Sequence, residues 1–405
     1  MFYRLIYIIL LIISLTSFAY AKPLSLNEAM EIALKQNPDI LSVKAAWDSA
    51  KAKIPQSLSL EDPRIGLEYE QIPSGSRNPE EGMKMYTAEQ MIKFPGKIYA
   101  EYQTSVNETE MAEALYLEKV SSIKSQVKSA YYDLFFMDRA LETAREVKGL
   151  LYQAQKAAEA RYSVGDVPQT DLLQANIEYL KTDNELANLR KEREVKELKL
   201  KSLLNRLDDS SIDPEPALYL PATIEAETTL KNAALEKNPE LKNTKAEIKL
   251  KESGLLLSKL EYFSDTSLGI RKRIDDGWDA MVSFSVPLYF WKQGSGVAQA
   301  GYDREAAQAN FNNTKNMIVL EIKEAYVMAD SSRRNMELYK KSIIPQSEQA
   351  LKSSFSAYRT GKASFLSLLE IEKIYYEAKL KYFENQVNHG KALAELEKIT
   401  GRDLL

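Results

Sequence analysis

Ala33-Leu34-Lys35-Gln36-Asn37-Pro38-Asp39-Ile40 returns later in the chain as Ala234-Leu235-Glu236-Lys237-Asn238-Pro239-Glu240-Leu241, displaced by 201 residues. Val127-Lys128-Ser129-Ala130-Tyr131 returns as Ile322-Lys323-Glu324-Ala325-Tyr326, displaced by 195. Tyr162, Gly165, Leu172 and Leu173 return as Tyr358, Gly361, Leu368 and Leu369, displaced by 196. Chance could supply any one of these echoes. Three in the same order with little drift mark a duplicated unit, and a repeat of this kind decides the whole fold.

The two units read alike. Ser25-Leu26-Asn27-Glu28 pairs an N-cap serine with an acid three residues on, the pattern of a capping box that opens a helix. Asn37-Pro38 interrupts that helix, because the residue before proline is pushed out of the α region. The helix resumes from about Asp39 to Leu58, and the second copy runs from about Thr228 to Leu260. The period then changes from helical to two-fold. Arg64 to Glu70 alternates polar and apolar residues, Pro73 to Gly82 turns the chain, and Met83 to Ile92 returns as a weaker strand. In the second unit Ser267 to Arg273 is followed by a turn at Asp275-Asp276-Gly277. Trp278, Ala280, Val282, Phe284 and Val286 then face one side and Asp279, Ser283 and Ser285 the other, with Met281 the exception. The strands are expected at about 64–93 and 265–290. Apolar-out, polar-in strands are what a lipid-embedded barrel wall needs. Alternation alone fits a half-buried hairpin of a soluble sheet equally well.

Each hairpin ends in similar punctuation, Phe94-Pro95-Gly96-Lys97 and Val286-Pro287-Leu288-Tyr289-Phe290-Trp291, with aromatics that suit an interfacial belt. A long helix follows, Ile98 to Val164 in the first unit and Val297 to Thr360 in the second, the latter with Pro345 inside. After Gly165 and Gly361 the chain returns as Thr170 to Arg206 and Ser364 to Ile399. Val120, Ile123, Val127, Ala130 and Leu134 follow near-heptad spacing, a coiled-coil seam. The units thus span 22–207 and 225–405. The Pro-rich segment 208–224, with Pro214, Pro216 and Pro221, is a linker lying alongside the helices.

Composition narrows the function. Residues 1–21 combine Arg4, the apolar run Leu5 to Ile13, and small residues at Ala19 and Ala21, the pattern of a cleavable secretory signal. An uncleaved anchor is the alternative, but the run is short for a span of about 20 residues. With no Cys and one His, the chain offers no thiol chemistry, no disulfide and no His-based metal cluster. His389 reads as a solvated helix residue. A net charge of −4 gives no footprint for nucleic acid. No Gly-rich phosphate loop is present, so neither a cofactor nor an enzymatic activity is expected.

Two motifs carry a family resemblance. Arg161-Tyr162-Ser163-Val164-Gly165-Asp166-Val167-Pro168-Gln169-Thr170-Asp171-Leu172-Leu173 and Tyr358-Arg359-Thr360-Gly361-Lys362-Ala363-Ser364-Phe365-Leu366-Ser367-Leu368-Leu369-Glu370 resemble the two periplasmic helix-turn-helix tips of the TolC family of outer-membrane efflux channels. Leu26-Asn27-Glu28-Ala29 with Asn37-Pro38 resembles the family's mature N-terminus, and Ser285-Val286-Pro287-Leu288 with Gly294 resembles its strand-to-helix return. Phe94-Pro95-Gly96-Lys97 and the compact length resemble the heavy-metal branch.

The resemblance implies a mainly α chain with a small membrane β part. Three protomers would share a 12-stranded β-barrel, four strands each, and a long coiled-coil α-barrel reaching into the periplasm. It implies as partners a periplasmic adaptor (membrane-fusion) protein and an inner-membrane pump, of the RND type first, with ABC and MFS types as alternatives. The function implied is a passive exit duct gated at the helical tips. Motif to motif, Glu370 and Ser367 occupy the constriction-ring positions, and Asp171 and Thr170 the linking positions of the first hairpin. Ala363 stands where a linking Arg is expected, so Lys362 is a candidate substitute that would pair with Asp171. Gly165 and Gly361 would supply the tip turns. A single Glu in a helix is otherwise an ordinary solvated residue, and a periplasmic scaffold without a barrel is the competing class of function. Drugs, dyes, metals and secreted proteins all remain open as cargo.

Overall fold

The computed structural model describes residues 23–221, 223–274 and 277–404. Residues 1–22, which include the segment expected to be a secretory signal, and Asp275-Asp276 of the expected turn lie outside the described residues. The chain folds as α1 (Leu26–Gln36), α2 (Pro38–Ser57), β1 (Arg64–Glu70), β2 (Met83–Ile92), α3 (Pro95–Ser163) and α4 (Gln169–Leu203). The second unit repeats the order as α5 (Glu227–Lys237), α6 (Pro239–Leu260), β3 (Thr266–Arg273), β4 (Trp278–Phe284), α7 (Phe290–Leu338), α8 (Ile344–Arg359) and α9 (Phe365–Thr400). A π-helical turn, Tyr339–Ile343, joins α7 to α8.

Each unit is locked by its Asn-Pro step. The Asn37 Oδ1 accepts from the backbone N–H groups of Asp39 (3.0 Å) and Ile40 (3.3 Å), capping α2. Its Nδ2 donates to the carbonyl of Leu203 (2.9 Å), at the far end of the unit's return helix. In the second unit Asn238 accepts from Leu241 N–H (2.9 Å) and donates to the Ile399 carbonyl (2.8 Å). One side chain therefore satisfies both a helix start and a helix end, which otherwise leave backbone groups unpaired.

α3 is 69 residues long, about 100 Å at 1.5 Å per residue. It begins at Pro95 rather than Ile98, because proline fits the first helical position, where an N–H has no partner anyway. The Phe94 N–H donates to Asp265 Oδ1 (2.8 Å), and the buried Lys97 pairs with Asp265 Oδ2 (3.0 Å). Phe94 stacks on Phe263 with ring centroids 4.6 Å apart. The Phe94-Pro95-Gly96-Lys97 motif is thus the joint between the two units at the foot of the sheet. α7 likewise starts earlier than its glycines suggest, at Phe290. Gly294 faces Tyr262 Oη, just past the end of α6.

The seam of α3 is the core. Ile123, Val127, Ala130 and Leu134 are buried together with Ala29, Ala33 and Ile40 of the opening helices and Leu200 of α4. α5, α7 and α9 build the equivalent cluster in the second unit around Leu230, Ile318, Ile322, Leu393 and Leu396. One ion pair is sealed between them: Lys128 of α3 meets Glu397 of α9, with side chains 3% and 8% exposed. The linker lies against the helices, where the Tyr131 hydroxyl donates to the Leu24 carbonyl (2.9 Å) and accepts from the Glu215 N–H (2.9 Å).

His389 is not solvated. It is fully buried in α9, its Nδ1 2.9 Å from the Ala329 carbonyl and its Nε2 3.3 Å from the Pro221 carbonyl. Position near the chain end suggested solvent, but α9 is the central helix of the second unit's core, so its last turns lie inside. Pro345 is accommodated because the π-helical turn just before it takes up the distortion its missing N–H imposes.

The four strands form one antiparallel sheet in the order β1-β2-β3-β4, the two hairpins joined edge to edge by β2 and β3. Ile65, Leu67, Tyr86, Leu268, Ile270, Trp278, Val282 and Phe284 are exposed on one face. Register places Arg64, Glu68, Glu70, Glu89, Arg271, Arg273 and Asp279 on the other face. β4 stops at Phe284, so Val286 lies beyond it. Met281 turns inward over Gly269, the cross-strand neighbour with no side chain, which explains its break in the alternation.

Candidate functional site at the helical tips

The two tips are built by the same backbone device. Gly165 and Gly361 have φ of +74° and +76°, a conformation glycine adopts without a Cβ penalty. At the first tip Asp166 N–H donates to the Arg161 carbonyl (2.9 Å) and Gly165 N–H to the Tyr162 carbonyl (3.0 Å). At the second, Lys362 N–H donates to the Ala357 carbonyl (2.8 Å) and Gly361 N–H to that of Tyr358 (3.1 Å). Ser364 then caps α9, its hydroxyl accepting from Ser367 N–H (3.2 Å). Ala158, Ala175, Tyr358, Phe365 and Leu368 pack the tips together.

The polar bolt between the hairpins is Arg161. Its Nε donates to Asp166 Oδ2 (2.7 Å), its Nη1 donates to the Tyr358 carbonyl (2.9 Å), and its guanidinium lies 5.4 Å from the Tyr358 ring centroid. Within one protomer Lys362 and Asp171 do not pair. Lys362 is exposed at the apex of its turn, while Arg161 fills the space between the hairpins. Thr170, Ser367 and Glu370 are exposed, and Asp171 is half-buried. Glu370 and Ser367 lie one turn apart on α9, away from the buried Phe365 and Leu368. Arg161 was not singled out from the sequence, although an Arg five residues before an Asp across a glycine turn was a usable signal.

Above the tips, a groove of about 400 Å³ runs between α3, α4 and α9. Ala144, Val147 and Leu151 line it from α3, Glu178, Lys181 and Glu185 from α4, and Glu370, Glu372, Lys373 and Tyr376 from α9. The Tyr376 hydroxyl donates to Glu185 Oε1 (2.6 Å), tying α9 to α4. Tyr375 donates to Glu146 Oε1 (2.8 Å), tying α9 to α3. Burial would raise the Glu146 carboxyl, but the hydrogen bonds from Lys379 and Tyr375 hold it below the usual range. Glu372 has no such relief: burial, then the like charges of Glu178 and Glu185, push its carboxyl up to about 7.

That value has a stability sign. In the folded state Glu372 holds a proton up to about pH 7, and in the unfolded chain only up to about 4.5. The fold therefore binds more protons between these limits, and stability rises as pH falls through that window. Allowing for solvent screening, wild type is expected to gain about 1–2 kcal/mol between pH 7.5 and 4.5 relative to Glu372→Gln. Parallel denaturant titrations of the two proteins check it, and superimposable pH curves would remove Glu372 from the account.

The comparisons with known proteins agree with this architecture. The pattern of the family described as outer membrane efflux protein matches residues 29–206 and 230–402, one stretch in each unit. The chain belongs to the outer membrane efflux protein family. Among its relatives is the cobalt-zinc-cadmium resistance protein CzcC of Cupriavidus metallidurans, 20% identical over 397 residues, covering 94% of this chain and 91% of the relative. The fold matches the outer membrane protein VceC of Vibrio cholerae with a TM-score of 0.80 at 17% identity, covering 94% and 97% of the two chains. It matches the Campylobacter jejuni CmeC outer membrane channel with a TM-score of 0.78 at 16% identity, covering 93% and 85%. This efflux protein is therefore an outer-membrane channel with the TolC-like fold. Its relatives are channels, in keeping with a protein that transports rather than catalyses.

Proposed function

We propose that three copies of this chain close into a passive exit duct of a tripartite export system, gated at the periplasmic tips. The observation that carries the reading is the sheet. Its two outer edges, on β1 and β4, have no partner among the described residues, while one face is largely apolar and carries exposed Ile65, Ile270, Trp278, Val282 and Phe284. An open edge is not tolerated in lipid, whereas three such sheets joined edge to edge make a closed 12-stranded wall. Tyr289, Phe290 and Trp291, all exposed just below β4, supply the periplasmic aromatic girdle. The helices then extend into the periplasm, and the far ends of the strands face the exterior. A cleaved signal peptide would deliver the chain there. An adaptor protein would grip the tip surfaces, and an inner-membrane pump, of the RND type first, would supply the energy.

The purified protein is expected to migrate as a heat-resistant trimer and to give discrete conductance steps in planar bilayers. A monomer that leaves the bilayer silent would refute the duct and favour a periplasmic scaffold.

In this reading the three Glu370 carboxylates ring the constriction, flanked by Ser367, and Thr170, Asp171 and Lys362 face neighbouring protomers. A ring of carboxylates favours cations. Glu370→Ala is expected to cut cation over anion permeability several-fold, as charged rings dominate selectivity in narrow pores, and reversal potentials under a salt gradient measure it. Unaltered selectivity would return Glu370 to an ordinary surface residue. Divalent metal ions are the cargo to test first, given the name CzcC bears. Among the described residues of one chain no group of three or more His, Cys, Asp or Glu is placed to hold a metal ion.

A further inference from the structure

The outward face of the sheet is not uniformly apolar, and its exceptions are ordered. Counting by register from the periplasmic end, the lower rows hold Ile92, Thr266 and Phe284, then Gln90, Leu268 and Val282, then Ile65, Ala88, Ile270 and Ala280. The next row is Leu67, Tyr86, Lys272 and Trp278, and the last pairs Tyr69 with Lys84. All four strand carboxylates, Glu68, Glu70, Glu89 and Asp279, face inward. The two outward charges are Lys84 and Lys272, both confined to the two rows farthest from the helices. Lys84 Nζ lies 5.8 Å from the Tyr86 ring centroid, which confirms that it shares the outward face.

Lys84 and Lys272 are diagonal neighbours across β2 and β3, with Cβ atoms roughly 7–8 Å apart. Both strands are central in the sheet, so closing a trimer leaves this pair uncovered. No carboxylate among the described residues forms an ion pair with either lysine. A lysine on the lipid face costs most at mid-membrane and least at the interface, so these rows are where two of them are tolerated. Side by side they repel, and an anion held between them removes the repulsion. Lysine ammonium binds phosphate as a compact point charge. Tyr69, Tyr86 and Trp278 surround the pair with rings suited to the headgroup level.

We propose that Lys84 and Lys272 form a binding site for the phosphate of an outer-leaflet glycolipid headgroup, three sites per barrel, clamping the lipid against Tyr86 and Trp278. The proposal rests on the membrane orientation given above. Charge complementarity selects the occupant: a cationic pair with no strand carboxylate on its own face among the described residues, set at headgroup height on a largely apolar wall, suits an anionic lipid.

The test uses the intact trimer and purified bis-phosphorylated lipid A, followed by native mass spectrometry. Wild type is expected to hold lipid A through detergent exchange, to hold its dephosphorylated form far less, and to be indifferent to added inorganic phosphate. Lys84→Gln/Lys272→Gln is expected to bind lipid A about thirtyfold more weakly, which corresponds to about 2 kcal/mol for two charges at the surface. Lys84→Arg/Lys272→Arg keeps the binding. Equal retention of phosphorylated and dephosphorylated lipid by wild type overturns the proposal, whether or not the variants assemble. Undiminished binding by an assembled Gln pair does so too, and competition by inorganic phosphate points to a free-anion site instead. Conductance steps that persist while lipid binding fails leave the duct standing, whereas loss of both removes the orientation on which the site depends.

Discussion

Lys128→Met is expected to destabilise the fold by about 3–5 kcal/mol, the cost of stripping the partner from a buried charge. Lys128 of α3 and Glu397 of α9 are 3% and 8% exposed, so neither can turn to water. They join the core of the first unit to that of the second, and Glu397 also accepts from the Leu404 N–H (2.9 Å). The loss should therefore fall on packing between the two units. Adding Glu397→Gln should recover most of it, since an amide removes the buried negative charge and still accepts from Leu404. A denaturant titration of the helical signal measures both proteins. A single variant within about 1 kcal/mol of wild type would mean that water reaches the pair and that it carries little weight.

Arg161→Ala should unlock the tips. Its guanidinium makes the charge-assisted bond to the Tyr358 carbonyl that bridges the two hairpins, and the Asp166 carboxylate fixes its orientation. A hydrogen bond to a charged group is worth about 1.5 kcal/mol at the low end, and in the proposed trimer three such bonds together amount to about 4–5 kcal/mol. That shifts a closed-to-open equilibrium by about a thousandfold, provided the bond exists only in the closed state. Bilayer recordings should show the variant at its fully open conductance with no applied adaptor. If it stays at the wild-type level, Arg161 only shapes the tip and the gate lies elsewhere. Arg161→Lys separates charge from geometry: a lysine keeps the charge but loses the fork that reaches Asp166 and Tyr358 at once.

Much of this was written in local sequence, because it depended on local chemistry. Asn37-Pro38 and Asn238-Pro239 disfavour an unbroken helix through the step before proline, and Gly165 and Gly361 permit the positive φ that a tight turn needs. Alternation in Trp278 to Phe284 dictates a strand with two unlike faces. The family resemblance came from the same short motifs. Less legible were the partners of those residues. Nothing near Asn37 announces that its amide reaches the Leu203 carbonyl, and nothing near Phe94 announces Asp265. His389 read as solvated because it stands near the end of the chain. Its burial follows from α9 being central to the second unit, which no window around position 389 contains.

At the candidate gate the division is the same. The motif points to Glu370, Ser367, Thr170, Asp171 and Lys362 as candidates, but the bolt within one chain is Arg161, reaching an adjacent hairpin nearly two hundred positions away. The raised carboxyl of Glu372 likewise needs α3, α4 and α9 together. Sequence alone determined the duplication, the order of helix, hairpin, long helix, tip and return, and the two-faced strands, because these follow from backbone preference and periodicity over a few residues. Only tertiary structure decided which charges are sealed, which lysines share the sheet rows farthest from the helices and which arginine ties the tips. Burial and pairing are properties of the space between elements, and that space exists only once the two units have packed.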